Sequence, residues 1–180
     1  VQFVGVADLD AKRLADVAGR YRVKGFSDHR DLLKNCDAVT IAVPTAQHFR
    51  VATAALQAGV HVLIEKPMVL EVKEGEALIA LAAKKRLTLQ VGHVERFNGA
   101  VQELRRINPE AILIETSRMG PYDPRVKDVG VVMDLMIHDI DIILSIVKAK
   151  ITRVSATGVS AVSDREDAAV ATLLFDDGCV

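Results

Sequence analysis

Residues 38–67 decide the fold, and they read AVTIAVPTAQHFRVATAALQAGVHVLIEKP. The β-branched run Ala38–Val43 predicts a strand that ends at Pro44, and Val60–Ile64 predicts a second, buried strand. Between them, Thr45 can cap a helix that crosses from one strand to the next. Two strands joined by a helix indicate parallel pairing, because a parallel connection needs a crossover.

The same alternation continues on both sides of this segment. A β-like run at Gln2–Ala7 and a helical pattern at Asp10–Arg20 precede it, and a helix at Leu70–Lys85 and a strand at Leu87–Val91 follow. The sequence therefore predicts an α/β fold with a doubly wound parallel sheet. Because the first strand has no lead-in, we expect the chain to begin inside this domain.

After Val91 the pattern changes to that of an α+β domain, and we expect the domains to be residues 1–95 and 96–180. A turn signal at Asp176–Gly178 should lead into a further strand, so we expect the second sheet to be cut short. The predicted elements of this second domain are a helix Glu95–Ile107, a strand Ala111–Ser117, a long apolar helix Val131–Val147, and strands Ile151–Val159 and Ala168–Phe175.

Composition excludes several classes of function. The 23 Lys and Arg residues are balanced by 24 Asp and Glu residues, so no basic surplus favours nucleic acid as a partner. No apolar run approaches the roughly 20 residues that span a bilayer, and we expect no membrane association. Cys36 and Cys179 lie far apart in the chain, which predicts neither a disulfide framework nor a zinc site and favours a cytoplasmic location.

The apolar helix predicted over Val131–Val147 carries a polar stripe. At about 100° per residue, Asp134, His138 and Asp141 fall within roughly 60° of one another, whereas Asp139 points away. A buried carboxylate needs a partner, and an imidazole one turn away provides one, which suits His138 to act as a general base. The same stripe is also typical of a structural network in the core. A metal site is disfavoured, because no third ligand with clear spacing is offered.

Other candidate residues follow the predicted strands, at the edge where parallel sheets bind their ligands. Lys66 is placed to hold a substrate hydroxyl and favour alkoxide formation, although a solvated ion pair with Glu65 is the plain alternative. Asp8 ends the first strand, where dinucleotide-binding folds place an acidic residue on the adenosine ribose, and this favours NAD over NADP. Further candidates are Pro44, Thr45 and His48 for the nicotinamide or pyrophosphate, His93, Arg96 and Asn98 for a polar substrate pocket, and Arg118, Tyr122 and Arg125 in the loop before the long helix.

Four motifs, taken in order, resemble the Gfo/Idh/MocA family of glucose-fructose oxidoreductase and inositol dehydrogenase. They are AVPT at 42–45 with His48, EKP at 65–67, VGH at 91–93 leading into RFN at 96–98, and DLMIHD at 134–139. The resemblance covers nearly the whole chain. It implies a Rossmann domain without its first strand and glycine loop, followed by a truncated domain with a mostly antiparallel open sheet.

The resemblance also implies NAD(P)-linked oxidation of a secondary alcohol on a sugar or polyol. Within the family, residues 93–98 and 128–144 look most like UDP-N-acetylglucosamine 3-dehydrogenases, which implies a nucleotide sugar oxidised at its C3 hydroxyl. A free polyol such as inositol is the alternative substrate, and a non-catalytic nucleotide-sensing protein of the same fold is the alternative class.

Family members commonly pair through the C-terminal sheet, so we expect a homo-oligomer. The resemblance implies catalytic roles for Lys66, Asp134 and His138, cofactor contacts from Asp8, Val43, Pro44, Thr45, His48, Glu65 and Lys66, and substrate contacts from His93, Arg96, Asn98, Tyr122 and Arg125.

Overall fold

The computed structural model describes residues 1–107, 110–121 and 129–180. The chain divides into two compact units, Val1–Gly92 and His93–Val180. The boundary expected between residues 95 and 96 lies within a short 3₁₀ turn, Val94–Phe97, that belongs to the second unit. None of the helices in the described ranges combines the length and the apolarity needed to cross a membrane.

The first unit alternates strands and helices along its whole length, as the sequence predicts. Its strands pair in parallel, β1 with β2 and β3 with β4 and β5 in that order. The elements are β1 (Gly5–Ala7), α1 (Ala11–Tyr21), β2 (Lys24–Phe26), α2 (His29–Leu33), β3 (Ala38–Ile41), α3 (Thr45–Gln57), β4 (His61–Ile64), α4 (Val72–Lys85) and β5 (Leu89–Val91).

The core of this unit lies between the β3–β4–β5 sheet and the helices α3 and α4. Ala52, Leu56, Ile64 and Leu78 are all fully buried there. They come from two helices and the central strand of the sheet, so burial of their apolar surface fixes the order of the elements. The carboxyl ends of β3 and β4 are thereby held side by side.

Strand β2 was not predicted from the sequence. Its three residues include Lys24 and Gly25, and only Phe26 is buried, so the segment has no apolar alternation. Tertiary packing forms the strand instead, because a Cβ on Gly25 would lie 3.2 Å from the side chain of Leu14 on α1. The small residue lets the helix approach the strand closely.

The described part of the second unit contains two α-helices, two short helical turns and an antiparallel strand pair. The long apolar helix predicted at Val131–Val147 is present, but it opens with a π turn, Val132–Met136, before regular α-helix begins. The elements are the 3₁₀ turn Val94–Phe97, α5 (Gly99–Ile107), the π turn, α6 (Ile137–Ile146), β6 (Ile151–Val159) and β7 (Ala168–Phe175), with β6 antiparallel to β7.

Two predictions about this unit were wrong. Ala111–Ser117 is not a strand, and the hydrogen bonds between its backbone and other described residues join Ile112 and Ile114 to Val180. The helix predicted from Glu95 to Ile107 is interrupted at Asn98, whose backbone is extended (φ −62°, ψ 131°). Its side-chain oxygen accepts a hydrogen bond from the N–H of Ala100, which starts α5 as a new helix.

The loop between β6 and β7 is held by one carboxylate. Asp167 accepts hydrogen bonds from the backbone N–H groups of three successive residues, 161–163, at 2.7 to 3.0 Å, and from the hydroxyl of Ser163 at 2.8 Å. These bonds favour the charged form, and the backbone donors together with Ser163 hold the pKa of Asp167 well below its usual range.

We therefore expect Asp167→Asn to lower the melting temperature at neutral pH. The folded-state pKa lies below the unfolded value of about 3.9, so this stabilisation is fully present above about pH 4 and is lost as pH falls further. Melting curves from pH 7 to pH 3 should show the difference between wild type and variant narrowing below about pH 4. A difference that stays constant over this range would contradict the assignment.

Candidate active site

A buried histidine joins the carboxyl ends of β3 and β4. His48, on the first turns of α3, is 1 % exposed. Its Nδ1 lies 2.9 Å from the carbonyl oxygen of Pro67, and its Nε2 lies 2.9 Å from the carbonyl oxygen of Val43. The ring therefore ties the segment that follows β3 to the segment that follows β4, which contains Lys66.

The cofactor contact expected for His48 stays a prediction, and the structure gives the ring two contacts within the protein. Both ring nitrogens face carbonyl oxygens, which only accept hydrogen bonds, so a neutral ring donates to one of them and an imidazolium to both. Through these contacts His48 supports the segments that carry Val43 and Lys66, which are also candidates for cofactor contacts.

Glu65 and Lys66 lie directly after β4, beside the end of β5. The Lys66–Pro67 peptide bond is cis, an arrangement that an X-Pro sequence permits. The N–H of Gly92 donates to the carbonyl of Ile64 at 2.7 Å, and a Cβ on Gly92 would lie 3.0 Å from the Glu65 carboxylate. The missing side chain at position 92 leaves room for this carboxylate at the edge of the sheet.

Asp8 follows β1, as a ribose-binding carboxylate would in a dinucleotide-binding fold. It accepts a hydrogen bond from the N–H of Asp10 at 2.8 Å and from the Nη2 of Arg13 at 3.1 Å. The Arg13 guanidinium holds the pKa of Asp8 below its usual value, so the side chain is an anion at neutral pH.

The start of α3 differs from the prediction that Thr45 caps it. Pro44 occupies the N-cap position and Thr45 is the first helical residue, buried at 8 % exposure. Pro44 supplies no side-chain cap of its own, and Val43 and Pro44 are exposed. A helix start with exposed neighbours at this edge of a parallel sheet suits an anionic group such as a pyrophosphate.

We expect His48→Leu to lower the free energy of unfolding by about 2 kcal/mol, because the buried carbonyl of Pro67 and the partly buried carbonyl of Val43 lose the ring, and an unsatisfied buried group costs about 1–3 kcal/mol. Urea unfolding followed by circular dichroism measures the loss. Gln47→Leu, on the exposed neighbour, is the control and should change stability by less than about 0.5 kcal/mol. Equal losses in the two variants would count against the bridging role.

In the second unit, Asp134 and His138 lie on the helix formed by the π turn and α6. Asp134 is within the π turn, and His138 is the second residue of α6. Both side chains are half-buried. Their angular separation is not that of the regular helix assumed from the sequence, because the π turn adds a residue to the ring that each hydrogen bond closes. Such turns are frequent at functional sites.

Asp141 is paired with two residues that were predicted to bind substrate. Its carboxylate is bidentate with Arg96, at 2.7 Å to Nε and 2.5 Å to Nη2, and this contact raises the pKa of Arg96. The Nε2 of His93 lies 3.8 Å from the same carboxylate. The Nδ1 of His93 is buried, and within the described residues it has no hydrogen-bond partner. Arg96 therefore has a structural partner, and His93 retains one nitrogen for another group.

Asp139 holds a second arginine. Its carboxylate lies 3.0 Å from the Nη2 and 3.2 Å from the Nε of Arg118, and this contact raises the pKa of Arg118. Asp139 and Asp141 are both 8 % exposed. The contact expected between Arg118 and a substrate anion stays a prediction, and in the structure the guanidinium pairs with Asp139. The sequence did carry a signal for both pairs, since two acidic residues on an apolar helix each need a partner.

The other predicted substrate residues fall into two groups. Asn98 caps α5, and its Nδ2 lies 3.3 Å from the carboxylate of Glu95. Tyr122 and Arg125 lie outside the described residues. The structure thus groups His93 and Arg96 around Asp141, and it gives Asn98 a local structural role.

We expect Arg96→Met to destabilise the protein by about 1–3 kcal/mol, because it leaves the buried Asp141 carboxylate without its main partner. Arg105→Met on the exposed end of α5 is the matched control and should be close to neutral. Asp141→Asn in the Arg96→Met background should recover part of the loss, and a double-mutant cycle in urea measures this coupling. A coupling energy near zero would refute the pairing.

Together these features define a class of protein. A doubly wound parallel unit with an acidic residue after β1, followed by an α+β unit with a helix bearing Asp134 and His138, is typical of oxidoreductases with a Rossmann fold. Residues 1–93 match the family described as "Oxidoreductase family, NAD-binding Rossmann fold", and residues 90–180 match the GFO/IDH/MocA C-terminal domain. The chain belongs to the Gfo/Idh/MocA oxidoreductase family.

Similar proteins fall within the same family. UDP-N-acetylglucosamine 3-dehydrogenase of Acidithiobacillus ferrooxidans is 44 % identical over 180 residues, which are 99 % of this chain and 58 % of that protein. A solved structure of that enzyme matches with a TM-score of 0.93 at 43 % identity, covering 99 % of this chain and 59 % of the other. Myo-inositol 2-dehydrogenase of Thermotoga maritima is 28 % identical over 97 % of this chain and 58 % of its own length. The chain thus spans somewhat more than half the length of these relatives.

Proposed function

We propose that this protein is an NAD-dependent dehydrogenase that oxidises a secondary alcohol of a nucleotide sugar, at the C3 hydroxyl. The observation that carries the proposal is the half-buried pair of Asp134 and His138 on a helix opened by a π turn. The similarity to a UDP-N-acetylglucosamine 3-dehydrogenase over 99 % of the chain supports the substrate class.

The first unit is suited to hold the cofactor. Asp8 offers a carboxylate for the adenosine ribose, and its negative charge disfavours the 2′-phosphate of NADP. The start of α3, with the exposed Val43 and Pro44 and the adjacent Thr45, suits the pyrophosphate and nicotinamide. Glu65 and Lys66 complete this edge after β4. When bound, the nicotinamide supplies the acceptor for the hydride of the carbinol carbon.

The chain's own residues manage the proton and the developing charge. His138 removes the proton from the C3 hydroxyl, and Asp134 orients the ring for that transfer. Lys66 donates a hydrogen bond to the same oxygen and stabilises it as it becomes an alkoxide. These roles require no metal ion in the proposed mechanism.

Substrate contacts are proposed for the remaining predicted residues. The buried Nδ1 of His93 is available for a hydrogen bond with a bound sugar. Arg96 can donate from the guanidinium N–H groups that do not bind Asp141. Tyr122 and Arg125 are proposed to contact the nucleotide. Asn98 is proposed to contact the substrate through its Nδ2, because its Oδ1 already caps α5. A free polyol is a second candidate substrate, favoured by the similarity to a myo-inositol 2-dehydrogenase.

We also propose a homo-oligomer that assembles through the C-terminal sheet. Every residue of β6 is exposed, and Val154 and Val170 on the two strands are 61 % and 73 % exposed. An apolar sheet surface of this kind is typical of an interface. A cytoplasmic location is proposed as well, and the free thiols of Cys36 and Cys179 are consistent with a reducing compartment.

The proposal predicts that the complete protein containing this sequence forms NADH, measured by absorbance, when given NAD and UDP-N-acetylglucosamine. His138→Ala should lower turnover by about 100-fold or more, because a positioned general base contributes about 10²–10⁴-fold. NAD binding, measured by titration calorimetry, should stay near that of wild type. Equal loss of turnover and of NAD binding would contradict the role of His138.

A substrate panel separates the alternatives. Preference for UDP-sugars supports the proposed substrate, and preference for inositol and other free polyols supports the second candidate. If NAD binds but neither class is turned over, a nucleotide-sensing protein of the same fold becomes the better description.

A further inference from the structure

The start of the helix that carries Asp134 and His138 is held by a residue from the loop between β6 and β7. The backbone carbonyl of Glu166 accepts a hydrogen bond from the N–H of Val131 at 2.8 Å, and its Oε1 lies 3.4 Å from the N–H of Val132. These N–H groups are among the four that a helix start cannot satisfy by itself. A carboxylate at this end is also favoured by the helix dipole.

A glycine makes room for this contact. A Cβ on Gly130 would lie 2.2 Å from the carboxylate atoms of Glu166, so any larger residue would push the carboxylate away. The carbonyl of Gly130 accepts the hydrogen bond of the Asp134 N–H at 3.0 Å. Asp134 is therefore linked to the very residue against which the Glu166 carboxylate lies.

The loop that presents Glu166 is itself fixed. The adjacent Asp167 binds three backbone N–H groups and the hydroxyl of Ser163, and its own N–H donates to the carbonyl of Val159 at 2.9 Å. Glu166 thus extends from a loop that the Asp167 carboxylate holds in place. A fixed support is what a positioning contact requires.

The contact between Glu166 and the helix start also affects the position of Asp134, because a π turn lies between that contact and His138. A π turn accommodates one more residue than regular helix, and its conversion to α-helix would rotate Asp134 by about 100° relative to His138 and shift it by about 1.5 Å. Asp139 and Asp141 hold the following turns of the helix through Arg118 and Arg96. With the start held by Glu166 and the continuation held by the two arginines, the π turn between them is retained.

We propose that Glu166 is a positioning residue, which fixes the first turn of the helix and so keeps Asp134 in register with His138. The proposal rests on the catalytic role given to His138 above. Glu166 itself contacts neither substrate nor cofactor. Its effect is on the geometry of the pair, so it should act on turnover and leave the binding of both ligands largely intact.

The test compares two variants that remove the contact in different ways. Glu166→Ala deletes the carboxylate, and Gly130→Ala displaces it while the charge is kept. Both should lower kcat by about 10- to 100-fold, since a displacement of about 1 Å in an active site can cost this much. The KM for UDP-N-acetylglucosamine and the Kd for NAD should stay within about threefold of wild type. Glu166→Gln retains an acceptor for the Val132 N–H and should recover kcat to within about threefold.

Matched controls lie nearby. Asp164→Asn changes an exposed carboxylate of the same loop, and Gly99→Ala adds a Cβ where no atom lies within 4 Å. Both should leave kcat unchanged. Amide hydrogen exchange gives a readout independent of activity, because peptides covering 130–137 should exchange faster in Glu166→Ala and Gly130→Ala than in either control.

The outcomes separate this proposal from the function on which it rests. If His138→Ala abolishes NADH formation but Glu166→Ala and Gly130→Ala turn over normally, the positioning role is overturned and the catalytic role stands. If both variants lower kcat, raise the KM for UDP-N-acetylglucosamine and weaken NAD binding together, Glu166 has a general role in stability and the proposal also fails. If His138→Ala is as active as wild type, the proposed function itself fails.

Discussion

Carboxylates on an apolar helix must be paired, and the second unit is organised around that constraint. Removing one partner leaves an uncompensated charge on the helix and costs about 1–3 kcal/mol, so each pair holds its segment to the helix. Asp141 draws in Arg96 and the 3₁₀ turn that carries it, and Asp139 draws in Arg118 and the segment 110–121. The fold of this unit therefore depends on charge pairing as well as on its small apolar cluster around Phe175.

A buried histidine links two segments of the first unit. The chain leaves the sheet after β3 and after β4, and the carbonyls of Val43 and Pro67 lie at these two points. The two ring nitrogens of His48 lie 2.9 Å from these carbonyl oxygens. A histidine was expected at a ligand site because polar residues at the carboxyl edge of a parallel sheet often bind ligands. Here the residue at the edge supports the neighbours that can do so.

Much of the architecture follows from periodicity. Runs of apolar residues bounded by Pro44 and the glycines predict the strands and helices of the first unit, because each element buries one face or both. Strand β2 was not predicted, because it forms through packing against α1 and its residues show no apolar alternation. Pairings over 20 to 45 residues, such as Arg96 with Asp141, could not be assigned from spacing, since a sequence shows that a buried carboxylate needs a partner but not which one it finds.

The two arginine pairs also have an evolutionary consequence. A single substitution at Asp139 or Asp141 leaves an arginine without its partner, and one at Arg96 or Arg118 leaves a buried carboxylate without its partner. Each single substitution therefore gives a less stable protein. Positions 96 and 141 should therefore change together or not at all among descendants of this sequence, and so should positions 118 and 139. The ion pairs that secure the helix thus also restrict the mutational routes open to the residues around it.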